Sequence, residues 1–231
     1  MLKTTFSFLL VATLAVILSY TPEAEAHSWM DCLDWKFKNP KKRDWNDGAG
    51  SCNGFARRFP TGKKFASLDD ASPSRHHQQF RNNPTGSFPC STGKKKDAQE
   101  AGADETRANP PSKAYGGSYG RMTVAKVGDT LCVRWPAKNH AKKNEPNNNV
   151  QINLSKVRNG ADIKQSELLK NTIALLPFKN CMAGKNEDTR ACGGCFKVPT
   201  RASGIYLLQW RWMLNKNEWY TSCADIQIGS K

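Results

Sequence analysis

Met122-Thr-Val-Ala-Lys-Val-Gly-Asp-Thr-Leu-Cys-Val-Arg-Trp-Pro136 is the stretch on which the fold turns. Two short runs rich in β-branched and apolar residues, 122–127 and 130–135, flank Gly128-Asp129, a pair suited to a tight turn. Pro136 ends the second run, because it has no N–H to give to a strand ladder. Downstream the texture recurs. Val150-Gln-Ile-Asn-Leu154 alternates apolar and polar residues with the two-residue period of a half-buried strand. Ile205-Tyr-Leu-Leu-Gln-Trp-Arg-Trp212 and Ala224-Asp-Ile-Gln-Ile228 complete the strand set, and a short helical or irregular piece is expected within Ser166–Leu176. With no β-α alternation, the pattern predicts an all-β antiparallel sandwich of the immunoglobulin or fibronectin III kind. From His27 to about Lys113 the chain is rich in Gly, Pro, Asn, Ser and charge, and reads as long loops pinned by cysteines. No domain boundary is expected within 27–231.

The first 26 residues are set apart. Lys3 precedes an almost unbroken apolar run from Phe6 to Leu18, Pro22 follows, and Ala24-Glu-Ala26 has the small-x-small pattern of a signal-peptidase site. The run is too short for a lone membrane span, so the expectation is an extracellular, secreted protein with no membrane contact. The whole chain has 35 basic and 20 acidic residues and a mean hydropathy of -0.66. Loss of Lys3, Glu23 and Glu25 leaves 34 and 18, a formal +16 over residues 27–231. That charge reads as spread along the chain rather than gathered in one block, which suits an acidic partner better than nucleic acid. The eight cysteines all follow the cleavage site, and an even number there reads as a disulfide framework whose pairing spacing cannot choose. Cys192-Gly-Gly-Cys195 also admits a metal site, although a single C-x-x-C is weak evidence for zinc.

Cleavage after Ala26 would make His27 the first residue. Its α-amine and Nδ1 can then close one chelate ring, and a second imidazole opposite would complete a planar three-nitrogen set suited to copper(II). An amine with an unperturbed pKa of about 8 can lose its proton to bind at ordinary pH. Of the four histidines, His140 follows the strand that ends at Pro136, where a scaffold can hold it. The rival pair His76-His77 lies in the polar stretch Ser74-Arg-His-His-Gln-Gln, without predicted flanking strands. Asn153-Leu-Ser155 is an N-glycosylation sequon inside a predicted strand, which leaves its use open. No nucleophile elbow, H-E-x-x-H helix, phosphate loop or dinucleotide fingerprint is present.

His27-Ser-Trp-Met-Asp-Cys32, Trp135-Pro-Ala-Lys-Asn-His140 and Glu218-Trp-Tyr-Thr-Ser-Cys-Ala-Asp225 together resemble the lytic polysaccharide monooxygenases (LPMOs). The charge and the cysteine-rich early loops are most similar to the oomycete pectin-active group, auxiliary activity family 17. The resemblance implies one copper ion held by His27 and His140 in a histidine brace. It implies Tyr220 at the axial face and Glu218 orienting bound oxygen species. It further implies a monomeric enzyme that takes electrons from an external donor and uses O2 or H2O2 to cleave glycosidic bonds oxidatively. The implied polysaccharide is homogalacturonan, the carboxylate-bearing backbone of pectin. Glu218 and Tyr220, two apart in a strand, would share a face. Where relatives place Gly or Pro after the second His, this chain has Ala141-Lys-Lys143, and Lys142 and Lys143 would form a basic rim for a polyanion. Two other classes fit the same residues: a brace protein that binds copper without oxygenase activity, and a cationic pectin-binding cell-wall protein.

One extra residue ahead of His27 converts the ligand amine into an amide without a free lone pair. Calorimetry should therefore find tight copper(II) binding for a chain starting at His27 and its loss for one starting Gly-His27. Equal affinities would remove the brace.

Overall fold

Gly128 sits at φ 88°, a conformation glycine adopts without strain, and this turn carries the chain from one sheet to the other. In the computed structural model, which describes residues 28–57, 77–80, 89–90, 122–136, 149–158, 162–178, 191–215 and 218–229, the two runs around it do not pair. The first, β4 (Thr123–Lys126), lies parallel to the last strand, β10 (Glu218–Gly229). The second, β5 (Thr130–Pro136), pairs antiparallel with β8 (Ala191–Lys197). Asp129 holds the switch: its carboxylate accepts from Lys126 N at 2.8 Å and its carbonyl accepts from Val198 N at 2.8 Å.

Six strands form the larger sheet. Its order is β3 (His77–Phe80), β10, β9 (Gly204–Asn215), β6 (Asn149–Arg158) and β7 (Thr172–Pro177). Because β9 runs along one edge of β10, β3 and β4 share the other, at residues 218–221 and 226–229 respectively. The short β1 (Trp35–Lys36) and β2 (Ser51–Cys52) form a separate ribbon. A five-residue helix, α1 (Gln165–Leu169), precedes β7. The piece expected over 166–176 is thus half helix and half strand, because Thr172-Ile-Ala-Leu-Leu176 pairs with β6 and tertiary pairing decides a short apolar run.

The core lies between the β5–β8 ribbon and the six-stranded sheet, which makes an all-β sandwich with one parallel pair. Leu131, Val133 and Trp135 of β5 meet Val150, Ile152 and Leu154 of β6, Leu208, Trp210 and Trp212 of β9, and Ala224, Ile226 and Ile228 of β10. Each set alternates along its strand, as the pleat requires. Phe178 stacks on Trp212 with ring centroids 4.3 Å apart. The tryptophan and phenylalanine side chains dominate this core by the area they remove from water.

The opposite face of β9 and β10 is buried as well, under polar partners. Gln209 accepts from Asn153 Nδ2 at 2.9 Å and from Gln165 Nε2 at 3.0 Å, and its own amide donates to the Pro89 carbonyl at 2.9 Å. Arg57, with a fully buried side chain, donates to Asp225 at 2.7 and 3.0 Å and to Asp162 at 2.6 and 2.8 Å. Burial works against its charge, but the two carboxylates outweigh burial and hold the guanidinium well above its ordinary value. A cation whose folded-state pKa is raised contributes its stability at every pH below its unfolded value, which for arginine covers the whole physiological range.

Disulfides join Cys32–Cys52, Cys90–Cys223 and Cys132–Cys195, and Cys192 is disulfide-bonded as well. Cys192-Gly-Gly-Cys195 is therefore a strand carrying two bridges, which removes the zinc reading. Its glycines have steric causes: a Cβ at Gly193 would collide with the Trp45 ring, and one at Gly194 would meet Leu176.

Two outcomes follow from the covered polar face. Arg57→Ala strands two carboxylates and should lower the denaturant-unfolding free energy by about 3–5 kcal/mol. Asn153 is fully buried, and its side-chain oxygen also accepts from Thr172 Oγ1 at 2.7 Å. The intact mass of protein made in a glycosylating secretory host should therefore show no N-glycan at Asn153.

Candidate functional site

Ser28, the residue after His27, is fully buried, and its hydroxyl donates to the Pro136 carbonyl at 2.8 Å. Two residues on, Met30 N donates to Ser222 Oγ at 3.1 Å. Asp31 N then donates to the Arg134 carbonyl at 3.0 Å, and Cys32 bridges Arg134. These bonds lay residues 28–32 across the end of the sandwich, from β5 to β10, with Trp29 and Met30 fully buried beneath. The local cause is burial: Ser28, Trp29 and Met30 have no water to face, so the Ser28 hydroxyl and the Met30 amide take partners on strands.

Tyr220, two residues from Ser222, lies at the same end. It is 2% exposed and belongs to the core cluster, with its ring 6.1 Å from Trp212. The backbone at Glu218 pairs with Asn215 of β9 and Phe80 of β3. His27, His140, Lys142 and Lys143 lie outside the described residues. Among the described residues no group of His, Cys, Asp and Glu side chains could hold a metal ion. His77 corrects one expectation: it opens β3, a strand paired to β10, and is not in an unsupported loop. Its register partner is Thr221, while Gln78 stands opposite Tyr220, so His77 is one residue out of phase with the tyrosine.

Arg211 lies on the other face of the sheet. Its guanidinium packs 3.5 Å from the Trp219 ring centroid and donates to Gln151 Oε1 at 3.3 Å. Burial lowers its pKa to about 10. The contact with the indole face offsets part of that cost.

A second cluster escaped the sequence reading. Lys36, Lys38, Lys41, Lys42 and Arg43 all fall within eight residues of one exposed loop, so the positive charge is in part a block. The signal was the bare count in 36–43, masked by Asp31, Asp34, Asp44 and Asp47 on either side. Asn39 Oδ1 accepts from Lys41 N at 3.0 Å and from Lys42 N at 3.4 Å, an Asx turn that shapes the loop. Phe37 and Trp45 meet edge to face at 4.8 Å beneath it. Asn46 then mimics a strand: its Oδ1 accepts from Ala191 N at 2.8 Å and its Nδ2 donates to the Ala191 carbonyl at 3.3 Å. Ala191 is the register partner of Pro136, so the loop adjoins the Ser28 end of the sandwich.

No protein-family model matches the chain, and no curated protein matches its sequence. Solved structures do. An AA10 lytic polysaccharide monooxygenase from Streptomyces lividans is 16% identical, covers 65% of this chain and 81% of its own, and gives a TM-score of 0.43. An AA10 LPMO from Photorhabdus luminescens is 8% identical, with coverage of 67% and 80% and a TM-score of 0.44. The catalytic domain of an LPMO from Listeria monocytogenes is 16% identical, with coverage of 66% and 80% and a TM-score of 0.41. Similarity of this degree lends nothing to the assignment of an activity. Among the described residues no helix is long and apolar enough to cross a membrane.

Ser28→Ala leaves the Pro136 carbonyl without its buried partner. Denaturant titration should show a loss of about 1 kcal/mol with an unchanged m-value.

Proposed function

We propose that residues 27–231 form a secreted, monomeric copper-dependent polysaccharide monooxygenase that cleaves homogalacturonan. One observation carries the reading most directly. The residue after His27 is bonded to Pro136, four residues before His140, and Met30 is bonded to Ser222, two residues after Tyr220. Chain segments that lead to both proposed nitrogen ligands and to the proposed axial tyrosine therefore meet at one end of the sandwich. The donor chemistry fits the metal: an amine, two neutral imidazoles and a phenol suit copper(II).

His27 would bind through its α-amine and Nδ1, and His140 through its imidazole. Tyr220, packed against Trp212, would offer its phenol to the metal. Copper, when bound, supplies one-electron chemistry with O2 or H2O2 after reduction by an external donor. Glu218 would orient the oxygen species, and Lys142 and Lys143 would face the uronate carboxylates. A rigid sandwich end would suit such a site, because Ser28 and Met30, next along the chain from His27, are held to strands by buried hydrogen bonds.

A cationic protein that binds pectin without cleaving it is the second reading, favoured by the exposed cluster of Lys38, Lys41, Lys42 and Arg43. Mass spectrometry separates the two. Copper-loaded protein with reductant should release oxidised oligogalacturonides from de-esterified pectin and little from cellulose or chitin. Binding without oxidised products in any condition would replace the first reading by the second. The second ligand has its own check. His140→Ala should reduce the three-nitrogen copper signal in electron paramagnetic resonance to a two-nitrogen one. His76→Ala with His77→Ala should leave the signal intact, and the reverse pattern would move the site to β3.

A further inference from the structure

We infer that the exposed loop between β1 and β2 is a docking surface for carboxylate-bearing polysaccharide, through Lys38, Lys41, Lys42 and Arg43. The inference deepens the proposed function, on which its choice of ligand rests. It does not use the copper ligands.

Four observations support it. All four side chains are exposed, and none pairs with a carboxylate among the described residues; Lys36, by contrast, is bonded to Asp34 at 2.8 Å. The loop's own carboxylates are spent on its backbone: Asp44 Oδ1 accepts from Asn46 N at 3.0 Å, and Asp47 Oδ1 accepts from Ala49 N at 2.9 Å. These bonds keep the aspartates off the cations, and with five cations against two carboxylates residues 36–47 carry a net +3 that attracts a polyanion over about 8 Å at physiological salt.

The loop is also preorganised. The Cys32–Cys52 disulfide closes its base, the Asn39 turn shapes its tip, and the Asn46 side chain ties it to Ala191. A shaped loop loses less entropy on binding than free lysine-rich chain does. Its position matters most. Asn46 joins Ala191, Ala191 pairs with Pro136, and Pro136 accepts from Ser28, so the charge stands at the end where Ser28 meets Pro136.

The aromatic residues speak for a polyuronate over single-stranded nucleic acid. Nucleic-acid grooves offer free ring faces between their cations for base stacking. Here Phe37 and Trp45 are half-buried against each other, and Trp45 closes on Gly193. What remains outside is charge without a stacking platform.

The test is binding to fully de-esterified polygalacturonate at moderate salt, without reductant. It compares a loop variant (Lys38→Gln, Lys41→Gln, Lys42→Gln, Arg43→Gln) with a control of equal charge loss. The control is Lys126→Gln, Lys156→Gln, Lys164→Gln and Lys197→Gln, all exposed and outside the loop. Four exposed charge contacts together predict a roughly tenfold or greater weakening for the loop variant. The control should change affinity by less than about twofold. Equal weakening in both variants would overturn the inference, since net charge alone would then govern binding. A loop variant that loses affinity for an oligodeoxynucleotide of matched charge but keeps it for polygalacturonate would overturn it too. The product assay reads the proposed function separately. Oxidised products with no loop effect would leave the activity standing and the loop wrong, whereas loop-specific binding without products would do the reverse.

Discussion

Strand β10 has no face in water. From Trp219 to Ile226 every residue is buried, and its even-numbered residues face the sandwich core while its odd-numbered ones face a second layer. Burial on both sides forces the rest of the architecture. One face carries Tyr220, Ala224, Ile226 and Ile228, and the β5–β8 ribbon closes over it. The other carries Thr221, Cys223 and Asp225, whose polar groups need partners that the core cannot supply. Those partners come from far away in sequence. Pro89 accepts from Thr221, Cys90 bonds to Cys223, and Arg57 clasps Asp225.

The same constraint sets the geometry of the candidate site. A strand covered on both faces is rigid, so whatever stands at its first residues is held by packing and not by a loop. The segment after His27 reaches it by crossing β5, and each step of that crossing is a hydrogen bond to a strand backbone or to Ser222. A chain terminus is ordinarily its least constrained part. The three consecutive buried residues Ser28 to Met30 would supply the constraint that the proposed N-terminal ligand needs.

Charge is arranged in two ways. Inside, Arg57 is matched by two carboxylates, and Arg211 is covered by an indole face and a glutamine. Outside, Lys38, Lys41, Lys42 and Arg43 have no carboxylate partner among the described residues, and the neighbouring Asp44 and Asp47 bond to backbone amides. The first arrangement stabilises the fold and the second is available to a partner. A net charge summed over the chain cannot tell them apart.

Alternation at 122–136, 150–154, 205–212 and 224–228 was enough to predict an all-β sandwich, because the pleat of a strand writes its period directly into sequence. The even cysteine count likewise pointed to disulfides, while the histidine and tyrosine motifs carry the copper site only as a proposal. Pairing was not legible. Nothing local to Gly128 says that β4 and β5 part there, since strand partners are chosen by which faces must be buried across the whole chain. Cys132 could not name Cys195, and β8 was hidden because its glycines carry no apolar pattern; only the Trp45 and Leu176 rings and methyls that crowd them explain why they are there. The basic loop was passed over for the same reason. Its lysines look like every other charge in the chain, and only folding decided that Asp44 and Asp47 bond to backbone amides while Lys38, Lys41, Lys42 and Arg43 stay exposed.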